Sequence, residues 1–163
     1  MPQASHRYNG RLMLGVRHLI SIDYQRGVVM ENEESPFPEN EITPFYNSRG
    51  EATFYLYSNG EHFYHYDGTP MGYLFIGKYV LSYSGKYLGW IHNGSILDYI
   101  DGSYAFFTTY SSGGPSRPSR QSRPSRASRQ SRPPKSSRES RPSRPSRSTR
   151  WSTRSNMSFF PDY

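Results

Sequence analysis

The sequence predicts an all-β protein: a small, pseudo-four-fold symmetric antiparallel barrel of about eight short strands, built from four hairpin repeats, with a disordered Ser/Arg/Pro-rich C-terminal tail. Three observations support this. Glycines recur every eight to ten residues from Gly50 to Gly102. The runs between them are rich in Tyr, Phe, Val, Ile and Leu, which suit strands. The segment 115–150 is almost entirely Ser, Arg, Pro and Gln, which cannot bury a core.

The middle of the chain contains an internal repeat. Turn dipeptides such as Asn93-Gly94 favour type I′ hairpin turns, in which both central residues have positive φ. Seven such turns separate eight predicted strands, at 45–48, 52–57, 62–66, 71–76, 79–83, 87–92, 96–100 and 104–109. Every second turn defines one of four matching units. Five positions after their glycines stand the residues that we call the repeat aromatics: Tyr55, Tyr73, Trp90 and Phe107. Closure into a barrel would leave no exposed sheet edge.

Units of the form "YDGTPMGYLFIGKYVLSYSGKYLGWI" resemble the four-fold beta flower domain, a family of largely uncharacterised bacterial proteins. The resemblance covers residues 43–110 and rests on paired motifs: Asp67-Gly68 with Gly72-Tyr73, Ser84-Gly85 with Gly89-Trp90, and Asp101-Gly102. The first unit departs from the pattern, with Arg49-Gly50 and Phe54-Tyr55. The resemblance implies a small pseudo-four-fold β-barrel, and it supplies no activity, cofactor or catalytic residue.

Four segments are predicted along the chain. Residues 1–42 form either extra strands, around Asn9-Gly10 and Arg26-Gly27, or a poorly ordered region. Residues 43–110 form the four-repeat domain. Residues 111–150 form a disordered cationic tail of Ser-Arg-x triplets, and residues 151–163 an aromatic C-terminal segment. That last segment docks on a partner, docks on the parent domain, or has no selected role.

Composition narrows the class of protein. The chain has no cysteine, which excludes disulfides and thiolate metal sites. No apolar run reaches the roughly 18–20 residues that span a bilayer, and no signal-peptide pattern is present, so we expect a soluble cytoplasmic protein. The net charge of +7 is unevenly distributed along the chain. Residues 1–114 carry seven Lys/Arg and eleven Asp/Glu, whereas residues 115–154 carry thirteen Lys/Arg and one acid.

The tail has a strict period of three. Every third residue from Arg117 to Arg150 is basic, eleven being arginines and one Lys135. A period of three matches polyproline II, in which the arginines would line one edge. Such an arm would bind polyanions without sequence preference, on nucleic acid or an anionic membrane surface. The alternative is a passive, solubilising tail. The predicted polyanion-binding residues are Arg117, Arg120, Arg123, Arg126, Arg129, Arg132, Arg138, Arg141, Arg144, Arg147 and Arg150.

Motifs for catalysis are missing from the sequence. His62 and His65 lie three apart on a predicted strand, so their side chains would face opposite sides and share no metal ion. No nucleophile elbow, phosphate loop or dinucleotide fingerprint occurs. We therefore predict no catalytic residue, no metal site and no cofactor.

Two functions remain open. The first is a non-enzymatic binding module, in which a protein or apolar small ligand occupies the barrel and the cationic arm binds polyanions. The repeat aromatics then either fill the core or bind the ligand, and core filling is the default for eight strands. The alternative is a non-specific nucleic-acid-binding protein that uses the arginine-rich tail. A pseudosymmetric monomer can close without a partner chain.

Overall fold

The computed structural model describes residues 7–8, 11–14, 18–23, 28–33 and 35–162, and side chains from residue 35 onward. The chain divides into two compact units, Met1–Pro36 and Phe37–Tyr163.

The first unit contains a four-stranded antiparallel sheet in sequence order. Its strands are β1 (Arg7–Tyr8), β2 (Arg11–Leu14), β3 (His18–Asp23) and β4 (Val28–Glu33). Two alternatives were predicted for the N-terminal segment, extra strands or a poorly ordered region. The structure contains the strands. The predicted turn dipeptides, Asn9-Gly10 and Arg26-Gly27, lie outside the described residues. The boundary falls at residue 36 because Phe37 belongs to the next unit, where its ring packs edge-on against Phe45 at 5.4 Å.

The second unit contains an eight-stranded antiparallel sheet, also in sequence order. Its strands are β5 (Thr43–Tyr46), β6 (Ala52–Leu56), β7 (His62–His65), β8 (Pro70–Phe75), β9 (Tyr79–Leu81), β10 (Tyr87–His92), β11 (Ser95–Asp98) and β12 (Tyr104–Phe106). The two ends of the sheet meet where Tyr46 and Phe107 exchange backbone hydrogen bonds of 2.8 and 2.9 Å. The prediction of an all-β barrel of eight short strands is confirmed.

All seven predicted turn glycines have positive φ, which confirms the turn positions. The turn type differs from the prediction. Both central residues have positive φ, as in type I′, at Asn93-Gly94 and at Ile76-Gly77. In the other predicted dipeptides the residue before the glycine has a negative φ, and at Asp67-Gly68 the glycine N–H bonds to the carbonyl of His65 at 2.9 Å. This is a type I turn closed by a left-handed glycine, a bulged hairpin loop that the dipeptide alone does not distinguish from type I′.

The barrel interior is built from phenylalanines. Phe54 stacks on Phe45 at 5.1 Å and meets the edge of Phe106 at 4.7 Å. The C-terminal segment completes this core, since Phe160 lies 4.9 Å from Phe54 and Phe159 is fully buried. The aromatic segment therefore docks on its own domain, through the short 3₁₀ helix Met157–Phe159.

Strand glycines make room for these two rings. A Cβ on Gly89 would lie 3.0 Å from the ring of Phe159 and 2.2 Å from the carbonyl oxygen of Leu97. Gly72 is the equivalent glycine of the preceding repeat. A Cβ on Gly72 would lie 2.4 Å from the carbonyl oxygen of Leu81 and 3.6 Å from the ring of Phe160. The glycines that the sequence placed within strands therefore mark close approach of backbone and ring.

Candidate functional site, a cationic belt on the barrel

Residues 117–150, which we call the belt, follow the outside of the barrel and pass its four repeats in sequence order. Backbone N–H groups spaced nine residues apart donate to the carbonyl oxygens of the four aligned turn glycines. The pairs are Gln121 to Gly50 (2.8 Å), Gln130 to Gly68 (2.8 Å), Glu139 to Gly85 (3.0 Å) and Ser148 to Gly102 (2.9 Å). Three triplets of the belt therefore match one hairpin repeat of 17 or 18 residues.

The belt contains no helix and no strand, which agrees with its low-complexity composition. Its backbone nevertheless follows a single defined course, because hydrogen bonds to the turns hold it at regular intervals. At Gly68 the approach is so close that a Cβ would lie 2.0 Å from the carbonyl oxygen of Ser128. Disorder of this segment in solution is a separate prediction, and amide exchange, described below, tests it.

The belt has a second sequence pattern, at the positions that directly follow its basic residues. Some of these positions are proline and the others are not. Of the eleven such residues that lie within the belt, six are not proline, and all six donate a backbone hydrogen bond to the barrel. They are Gln121, Ala127, Gln130, Ser136, Glu139 and Ser148. The other five are proline, which has no N–H to donate. This alternation is the sequence signal that could have located the contacts, and the period of three alone does not reveal it.

The repeat aromatics lie under the belt. Arg126 stands over the ring of Tyr55 at 5.6 Å, and Arg144 stands over Trp90 at 5.7 Å. The ammonium of Lys135 is 4.4 Å from the ring centre of Tyr73. Each ring is almost fully buried, and none belongs to the phenylalanine cluster of the interior. Strand alternation sends Phe54 inward and Tyr55 outward, where the belt covers it.

The repeat aromatics are therefore buried, but outside the phenylalanine cluster that fills the barrel interior. Tyr55 packs with Tyr64 and Tyr66 on the outer wall, while Tyr73 and Trp90 pack in a second outer cluster. The remaining repeat aromatic, Phe107, stacks on Tyr46 at 5.5 Å. Ligand binding by these four residues stays a prediction.

Two arginines lie over aromatic rings at short distance. The guanidinium carbon of Arg129 is 3.9 Å from the ring centre of Tyr57, and that of Arg138 is 3.9 Å from the ring centre of Phe75. The two pairs are equivalent, since both arginines are nine residues apart on the belt and both rings lie seven residues after a turn glycine. The short distance indicates a stacked guanidinium plane, a contact that lysine cannot reproduce.

The belt is strongly positive at its surface. All twelve of its basic side chains are exposed, and with Glu139 as its single acid the belt has a net charge of 12 − 1 = +11. Lys135 pairs with Glu61, and Arg150 pairs with Asp101 at 2.7 Å. Within residues 35–162, the other ten basic side chains of the belt have no carboxylate within 4 Å. Their charge therefore faces solvent.

Two open grooves lie between the belt and the barrel wall. One has a volume of about 630 Å³ and is lined by Tyr57, Tyr64 and the belt residues 128–132. The other, about 420 Å³, is lined by Phe107, neighbouring residues of the wall and the belt residues 117–120. Both combine an aromatic wall, two serines and two arginines, since the belt passes each repeat in the same way.

The end of the belt is locked to the barrel. Tyr104 and Trp151 form a parallel backbone bridge, and the guanidinium of Arg154 binds both carboxylate oxygens of Asp98 at 2.6 and 3.0 Å. The hydroxyl of Ser152 donates to the same carboxylate at 2.8 Å. Asp98 is 1% exposed, so these partners compensate a buried charge. Asp98 therefore serves the fold.

His62 lies in a buried polar network beside the belt. Its Nδ1 is 2.8 Å from the hydroxyl of Tyr83, and its Nε2 is 3.6 Å from Glu61. Burial lowers the pKa of His62 to about 4; Glu61 opposes this shift, whereas Arg132 and Lys135 add to it. His62 is therefore neutral near pH 7 and shares a hydrogen bond with the hydroxyl of Tyr83. His65 turns instead toward Asp67.

No group of three His, Asp or Glu side chains among the described residues is placed to hold a metal ion. None of the helices found there has the length and apolar character to cross a bilayer.

The sequence matches one model of a known protein family. The family model described as 4-fold beta flower protein matches residues 43–160. The match thus extends past residue 110 and takes in the belt and both core phenylalanines of the C-terminal segment. No curated protein and no solved structure matches the chain. Since the family model covers most of the chain, the protein belongs to the 4-fold beta flower family.

Proposed function

We propose that the protein is a non-enzymatic binding module that holds polyanions on its belt. The observation that carries this proposal is that the belt is anchored and charged at once. Its backbone is hydrogen-bonded to the barrel turns, while all twelve of its basic side chains are exposed. The description of the matching family names a fold and no reaction.

Anchoring strengthens the case for binding over a passive tail. A flexible arm loses conformational entropy when it binds, which lowers its affinity. A belt that is already held along the barrel avoids most of that loss. Ten of its basic side chains lack a carboxylate partner within the described residues, so their attraction for an anion is not already satisfied. Neutralising phosphates would release counterions and make the affinity strongly salt-dependent.

The barrel interior offers less support as a ligand site. Phe45, Phe54 and Phe106 fill it together with Phe159 and Phe160 from the C-terminal segment. An apolar ligand in that position would have to displace these rings. The outer wall is likewise covered by the belt, so the belt surface is the part of the molecule that best fits a binding role.

The test is binding of fluorescently labelled inorganic polyphosphate, measured by anisotropy at several salt concentrations. The variant is Arg123→Gln with Arg132→Gln, two exposed belt residues without a stacked ring. Each substitution should lower the slope of log K against log salt by up to about 1. Arg49→Gln is the matched control, because Arg49 is exposed on a barrel turn and already paired with Glu51 at 2.7 Å.

Two outcomes would contradict the proposal: polyphosphate fails to bind at 50 mM salt, or the belt variant binds as tightly as the Arg49 control. Charge substitution is preferred to deletion of the tail. Removing the belt would expose Tyr55 and Trp90, which it now buries, and a loss of binding could then reflect loss of the fold.

A further inference from the structure

We infer that the polyanion is a single-stranded nucleic acid, whose bases stack on the exposed faces of Arg129 and Arg138. This inference rests on the proposed function and names its ligand. A chain of phosphates needs only positive charge. A nucleic acid strand also offers flat bases, and the belt carries two flat groups that are fixed in position.

The stacked pairs form these platforms. The guanidinium carbon of Arg129 lies 3.9 Å from the ring centre of Tyr57, and the guanidinium also donates to the Tyr57 hydroxyl at 2.9 Å. Arg138 lies on Phe75 at the same 3.9 Å distance. Both arginines are exposed, so each guanidinium keeps surface that a base can contact. Unpaired bases stack on arginine planes of this kind.

The groove beside Arg129 adds a place for the phosphate. It has a volume of about 630 Å³, and Arg132 lines it together with Arg129, Ser128 and Tyr64. A base stacked on Arg129 would thus have a second cation and a hydroxyl within the same groove. This combination of plane, cation and hydroxyl matches a nucleotide better than an isolated phosphate.

The spacing of the platforms sets a strand length. Nine belt residues separate Arg129 from Arg138, and nine residues of extended chain span at most about 30 Å. A strand that rises about 3.4 Å per nucleotide needs about nine nucleotides to cover that distance. A duplex would not serve as well, because its bases are stacked on one another and present no free face.

The experiment uses the full chain and an 18-nucleotide single-stranded oligodeoxyadenylate containing 2-aminopurine, whose fluorescence falls on stacking. The variant Arg129→Lys with Arg138→Lys keeps both charges and removes both planes. The control Arg49→Lys also keeps the charge and changes an exposed arginine on a barrel turn, outside the belt. We expect the first variant to bind the oligonucleotide about tenfold or more weakly and to lose the quenching, while the control binds as the wild type.

Polyphosphate and the duplex form of the oligonucleotide complete the test. Polyphosphate affinity and the salt slope should stay unchanged in the Arg129/Arg138 variant, and the duplex should bind more weakly than the single strand. The inference fails if the variant binds the single strand like the wild type, if it loses polyphosphate binding equally, or if the duplex binds as tightly. If polyphosphate still binds with a strong salt dependence in those cases, the proposed function stands and only this inference fails. If polyphosphate does not bind, the proposed function and this inference both fail.

Discussion

The backbone N–H of Gln130 donates to the carbonyl oxygen of Gly68 at 2.8 Å, and its counterparts recur in the other three repeats. The donors are nine residues apart and the acceptors 17 or 18. The nine-residue period of the belt and the 17- or 18-residue period of the barrel are thus in register over all four repeats. Four chain-distant hydrogen bonds of this kind fix the belt on the barrel without burying an apolar core of its own.

Gly68→Ala should destabilise the protein by about 2–4 kcal/mol. Gly68 has φ +94°, and a Cβ would lie 2.0 Å from the carbonyl oxygen of Ser128. Gly60→Ala is the control: its φ is +72°, but no atom lies within 4 Å of the added Cβ, so the cost should be about 1 kcal/mol. Chemical unfolding of both variants measures the difference. Equal losses would show that Ser128 does not lie against the turn.

Gln130→Pro should loosen the belt, because it removes the donor to Gly68 and leaves that carbonyl without its partner. We expect a loss of about 1–2 kcal/mol, against a few tenths for Gln130→Ala, which keeps the N–H. Amide exchange gives an independent reading. The amides of Gln121, Glu139 and Ser148 should be protected in the wild type, whereas a disordered tail would exchange them all at the rate of a free peptide.

Lowering the pH from 7.5 to 5 should destabilise the protein through His62. The pKa of His62 is about 4 in the folded state because of burial, and near 6.5 in the unfolded chain. Between these values only the unfolded chain binds the proton, so the free energy of unfolding falls as the pH falls. The expected loss between pH 7.5 and pH 5 is about 2 kcal/mol.

His62→Gln isolates this contribution, since the histidine then no longer titrates. Burial, with Arg147 and Arg144 nearby, also lowers the pKa of His92, which therefore adds a loss of the same sign. The free energy of unfolding in urea is measured for wild type and variant at both pH values. The contribution of His92 is the same in both proteins, so it cancels in the difference between them. A pH dependence that is the same in both proteins would contradict the assignment to His62.

Ile76→Asn should stabilise the protein by about 1 kcal/mol. Ile76 has φ +47° in a turn with Gly77 and is 59% exposed. A β-branched residue in the left-handed region is strained, whereas asparagine tolerates it. The thermal unfolding midpoint should rise. A fall would show that the exposed isoleucine makes a stabilising contact that outweighs the backbone strain.

Local patterns were enough to predict the barrel. Turn glycines such as Gly50 and Gly102 need positive φ, and that requirement is a property of the residue and its neighbours. The repeat of 17 or 18 residues then implied four equal hairpins. The composition of the tail predicted a disordered segment, which stays a prediction; the segment has neither helix nor strand, because serine, arginine and proline neither form a core nor continue a ladder.

The direction of the strand faces could not be read in the same way. Phe54 and Tyr55 are both fully buried, one inside the barrel and one beneath the belt. Apolar and aromatic residues occur at both alternating positions, so a period of two did not show which side was the interior. Only the arrival of the belt on the outer wall explains why both faces exclude water.

What the sequence determined by itself was the set of local elements: eight short strands, glycine turns at fixed intervals and a cation at every third position of the tail. The tertiary structure decided where these elements meet. Phe159 enters a barrel that ends some fifty residues earlier, and Gln130 bonds to Gly68 across sixty-two positions. Such contacts depend on shape and hydrogen-bond geometry between segments far apart in the chain, which no local propensity encodes.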